Sequence, residues 1–86
     1  MSEAALLGKL VLHPVNERVY RVQTEHGEHV GNLKRNAGLW KFKAIGHDRH
    51  GNVMPGWGPL TEMHNTVFDA PDEARVNSIL APMPQE

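Results

Sequence analysis

No cysteine occurs in these 86 residues. That absence removes disulfides, thiolate metal sites, thiol nucleophiles and thiol redox chemistry, and it suits a reducing cytoplasm, where the chain is expected to work. No apolar run approaches the ~20 residues that a membrane-spanning helix needs. The first residues also lack the basic start and long apolar centre of a secretory signal, so neither membrane insertion nor export is expected. Neither sign of charge dominates: nine Lys and Arg stand against ten Asp and Glu, and the formal net charge of −1 supplies no global attraction to nucleic acid or anionic lipid. Any such binding has to come from a local patch. No internal repeat or low-complexity tract is present. No cofactor-binding loop, no pair of acids at useful spacing and no nucleophile with an orienting acid stands out, so the sequence reads as non-enzymatic and without a cofactor.

What is there supports one small domain spanning residues 1–86, with 1–8 and 82–86 loosely ordered. Leu, Ile, Val and Phe together exceed the roughly one-fifth below which chains stay disordered, and a chain of this size buries about two-thirds of its unfolded surface in one small cluster. The organising stretch is Leu39 to Gly46, in which Trp40, Phe42 and Ala44 alternate with Lys41 and Lys43. That period of two is the mark of a half-buried strand. Before it, Lys9 to His13 reads as a strand stopped by Pro14, with Leu10 and Leu12 on one face, and Asn16-Glu17 as a turn. Arg18 to Thr24 follows with Tyr20 and Val22 inward. Glu25 to Glu28 is a hairpin turn around Gly27, and His29 to Leu33 returns with Val30 as its apolar member. Asn36-Ala37-Gly38 turns the chain into Trp40 to Ile45, and His47 to Asn52 turns it again into Val53-Met54.

Pro55 to Pro59 cannot be regular structure, because two prolines withdraw donors and two glycines loosen the backbone. Asn65 to Phe68 can form a further short strand. Asp69 then offers an N-cap for a helix over Ala70–Ala81, with Val76, Ile79 and Leu80 as its apolar stripe and Pro82 and Pro84 beyond its end. Ser2 to Gly8 can form a marginal helix. The fold class expected is α+β: a four- to five-stranded antiparallel meander with one C-terminal helix packed on one face. The expected core is Leu12, Tyr20, Val22, Val30, Trp40, Phe42, Val67, Phe68, Val76, Ile79 and Leu80.

Three surfaces invite a functional reading. The Pro55 to Asn65 loop carries Trp57, Thr61, His64 and Asn65, and irregular loops on a rigid sheet concentrate binding residues. Trp57 there is either an interface anchor or a lid on the core. His64 is expected to tie the loop to the last strand and Asn65 to serve a turn. Lys34, Arg35, Lys41, Lys43 and Arg49 face only Asp48 as an acid within their stretch, and a basic sheet face with Trp57 or Tyr20 to stack on a base would hold a single-stranded nucleic acid. The ordinary use of such lysines is to keep a strand face soluble. The six histidines include two His-x-x-His pairs, His26/His29 and His47/His50, whose imidazoles could bind a divalent metal with help from Glu28 or Asp48. Free imidazoles in polar turns are the plainer alternative. Met54, Met63 and Met83 are adaptable apolar groups suited to self-association. The function expected is an interaction module that contacts a protein partner or a second copy of itself through the loop and the sheet face, with nucleic-acid binding and then metal binding as the alternatives.

Overall fold

The computed structural model describes residues 9–80. The helix expected at Ser2 to Gly8, the end of the second helix at Ala81, the tail Pro82 to Glu86 and Met83 lie outside the described residues. The chain forms an α+β fold with a six-stranded antiparallel sheet: β1 (Leu10–Asn16), β2 (Val19–Thr24), β3 (His29–Asn36), β4 (Leu39–His47), β5 (Val53–Pro55) and β6 (Val67–Phe68), followed by α1 (Glu73–Leu80). β1 to β5 follow one another as a meander, and β6 pairs with β4. Short polar turns explain the order, since neighbours in sequence pair before any long loop has to close. No helix among the described residues is long and apolar enough to cross a membrane.

The core lies on one side of the sheet, under α1. Leu10, Val22, Val30, Leu33, Phe42, Ala44, Leu60, Phe68, Val76 and Leu80 are buried together with Trp40, against which Tyr20 packs edge-on with ring centroids 5.4 Å apart. Leu12 and Ile79 are half-buried at its margin. Val67 is not a core residue: it is 50% exposed, because in the two-residue β6 only Phe68 can point inward. Leu60 enters the core from the irregular loop, where no periodicity marks it.

Several boundaries differ from the expectation: β3 runs past Leu33 to Asn36, β4 spans Leu39–His47, and β5 takes in Pro55, which was expected to be irregular. β1 does not stop at Pro14 but runs on to Asn16, and the turn falls on Glu17-Arg18, with Arg18 N donating to Asn16 Oδ1. Pro14 is tolerated because β1 is an edge strand: Leu10 N and Leu12 N point away from β2, and position 14 repeats that orientation. α1 starts three residues later than Ala70. Ala70 precedes Pro71, which disfavours helical backbone there, and Asp72 rather than Asp69 accepts the free N–H groups of Ala74 and Arg75.

The outward edge of β1 is closed by α1. Leu10 N donates to Asn77 Oδ1 at 2.6 Å, Asn77 Nδ2 donates to Leu10 O at 2.8 Å, and Leu12 N donates to Glu73 Oε2 at 3.0 Å. Residues four apart on the helix thus read residues two apart on the strand, and Pro14 has no donor left to offer at the next outward position. Among the described residues, then, the β1 edge is capped, while Arg21, Lys34 and Lys41 on the face away from the core are exposed.

Candidate functional site: the outer sheet face

The face opposite the core is assembled by register. Val19, Lys34, Lys41 and Val67 form one cross-strand row; His13, Arg21, Asn32 and Lys43 form the next. Residues directly paired across strands share a face, so Arg21, Lys34, Lys41 and Lys43 stand together on the side away from Phe42 and Ala44. Gln23 pairs with His29, and the His29 ring bonds Asn32 Oδ1 at 3.0 Å, adding amides and an imidazole to the same side. None of the six strands contains an Asp or Glu. The acids of the described chain lie in turns, in the loop and on α1, while the ion pairs among the described residues are Lys9–Glu73 and His26–Glu25. The face cations therefore have no acidic partner there, and Lys34 and Lys41 sit directly opposite each other, an arrangement that destabilises a sheet.

The residues expected to build a basic patch divide. Lys34, Lys41 and Lys43 are brought together on the face, with Lys43 Nζ donating to Asn65 Oδ1. Arg35 pairs with Trp40, which puts it on the opposite side of the sheet, and Arg49 belongs to the β4–β5 turn. Arg21 joins the face instead; its place follows from the β2–β3 register, which its own segment does not reveal. Neither aromatic is available over the lysines. Tyr20 packs on Trp40, and the Trp57 segment lies against the core side of β4, where a Cβ on Gly46 would sit 2.6 Å from Gly58 N and 3.1 Å from Trp57 C.

The loop is held by its own polar groups. β6 and β5 share one edge of β4, and between them Ala44 would lack a ladder partner. Gly56 N donates to Ala44 O at 2.8 Å, and Ala44 N donates to His64 Nδ1 at 3.0 Å, so an imidazole completes the ladder. Asn65 takes a left-handed turn conformation (φ 74°) and its N–H bonds Phe42 O at 2.7 Å. Thr61 Oγ1 donates to Gly56 O. Trp57 alone of the four loop residues reaches outward without such a task, and it is 65% exposed.

Among the described residues no three His, Asp or Glu side chains stand close enough to hold an ion, so neither histidine pair has a third ligand beside it. Asp48 is committed to its turn, accepting from His50 N at 2.8 Å and Asn52 N at 2.9 Å. Asn52 N–H above all, with the turn's other donors, holds its carboxyl below the usual carboxylate range. Compared with protein-family models, curated proteins and solved structures, the chain matches none.

Proposed function

We propose that this protein is a non-enzymatic cytoplasmic interaction module that holds a polyanionic partner, single-stranded nucleic acid foremost, on the outer face of its sheet. The observation that carries the reading is the acid-free strand set with Lys34 facing Lys41. Like charges directly opposed weaken a sheet, and a phosphate-bearing partner supplies the missing counter-charge. Lys41 and Lys43, two residues apart on one strand, stand ~6.6 Å from each other, a spacing suited to a chain of regularly placed charges. With Tyr20 packed against Trp40 on the core side and the Trp57 segment on that side too, no aromatic platform supports base stacking, so the contacts are to the backbone and indifferent to sequence.

A ¹H–¹⁵N correlation spectrum recorded at low salt, with and without a mixed single-stranded oligonucleotide, tests this. Shifts confined to Arg21, Lys34, Lys41, Lys43 and their neighbours, reversed by salt, are expected. An unchanged spectrum would sink the reading.

A second reading keeps a protein partner, and exposed apolar groups favour it. Trp57 stands beside Met54, its N–H donating to Met54 O at 3.2 Å, and Val53 is 54% exposed. Exposed tryptophan with neighbouring apolar groups is typical of an interface anchor. This surface lies apart from the lysines, so Trp57→Ala is expected to abolish a protein contact and leave oligonucleotide binding intact.

A further inference from the structure

We propose that a cleft at the end of the sheet, between Arg18 and Arg35, is a binding site for a phosphate monoester. A cavity of about 370 Å³ is lined by Arg18, Arg35, Asn36 and Ala37. Arg35 N donates to Arg18 O at 2.8 Å, which fixes the two arginine backbones side by side although they come from different hairpins. Ala37 and Gly38 turn the chain in left-handed conformations, φ 54° and 82°, so the β3–β4 turn is tight and its shape is set in advance. Both guanidiniums are permanently charged, and neither has an ion-pair partner among the described residues, Glu17 next to Arg18 included. Two arginines lining one cavity are matched in charge by a dianion, and a guanidinium fork is matched in geometry by paired phosphate oxygens. A phosphate monoester meets both requirements; an internal phosphodiester, with one charge, meets only half.

The cleft adjoins the lysines. Arg18 precedes Val19, which opens the Val19–Lys34–Lys41 row, but Arg35 lies on the opposite side from the lysines, so a strand on the outer face reaches the cleft by turning over the end of the sheet. The inference rests on the outer-face reading in assigning the monoester to the terminal phosphate of a strand lying along that face. It does not rest on that reading for the cleft itself.

The test titrates the full chain with inorganic phosphate at constant ionic strength, following the Arg18 and Arg35 Nε–Hε signals. It also compares mixed strands of about ten nucleotides bearing a 5′-phosphate or a 5′-hydroxyl. Saturable shifts of both arginines are expected, together with about tenfold tighter binding of the phosphorylated strand. Arg18→Gln with Arg35→Gln is expected to erase that difference and keep the binding of the hydroxyl strand. Equal binding of the two strands with no phosphate shifts would overturn the cleft and leave the outer-face reading standing. Phosphate shifts with no binding of either strand would overturn the outer-face reading and leave the cleft as a site for small monoesters. A phosphoserine peptide that binds more tightly than either strand would overturn nucleic acid as the source of the phosphate.

Discussion

His64 does the work of a strand residue with a side chain. Ala44 is buried and its N–H falls in the gap between β6 and β5, so without the imidazole it would have no acceptor. His64→Ala is expected to cost about 1–3 kcal/mol, the penalty of stranding a buried donor. Hydrogen exchange checks it: the Ala44 amide should speed up well beyond those of β2, and an unchanged Ala44 rate would contradict this role. Asp48 makes a different prediction. Its folded pKa is depressed, so the stability it contributes is present above its unfolded value of ~4 and is lost as pH falls through the folded one. In denaturant titrations, Asp48→Asn should therefore flatten the decline in stability between pH ~5 and pH ~2. Coincident pH profiles for the two proteins would refute it. The neighbourhood of neither residue is visible in its own stretch of sequence. Asp48 can be anticipated as a turn residue from the polar run around it. The bond from Ala44 to His64 spans twenty positions and has no local pattern.

At the level of elements, the strands and hairpins were legible because their signals are short-range. Alternation in Trp40 to Ala44, Gly27 and Gly38 in turns, and the Val76, Ile79, Leu80 stripe each act within a few residues. Leu33 and Leu60 were missed for opposite reasons: Leu33 stands alone among polar residues of β3, and Leu60 sits in a loop with no period to read. The strand continues through Pro14 because a proline ends a strand only where its N–H is needed, and here the position faces outward. That geometry yields a prediction for α1. Asn77→Ala combined with Pro14→Ala opens the β1 edge by removing a cap and restoring a donor. The double variant should form larger species than the natural chain at equal concentration in light scattering. Identical mass distributions would show that the edge is not guarded in this way.

Across the whole molecule, charge is sorted by location, not by amount. The net charge of −1 hides a sheet without acids and turns, loop and helix that carry them. Composition alone cannot show this, because the lysines of β3 and β4 and the arginine of β2 meet only through register. The histidine pairs looked as suggestive in sequence, yet folding keeps them from assembling any three-ligand group among the described residues. The salt dependence of binding to a labelled single strand measures directly whether the outer face acts as a polyanion surface. Four cations releasing counterions predict a plot of log affinity against log salt with a slope near −3, falling in magnitude by about 0.7 for each of Lys34→Gln, Lys41→Gln and Lys43→Gln. No binding at low salt, or a slope that these substitutions leave unchanged, would contradict it.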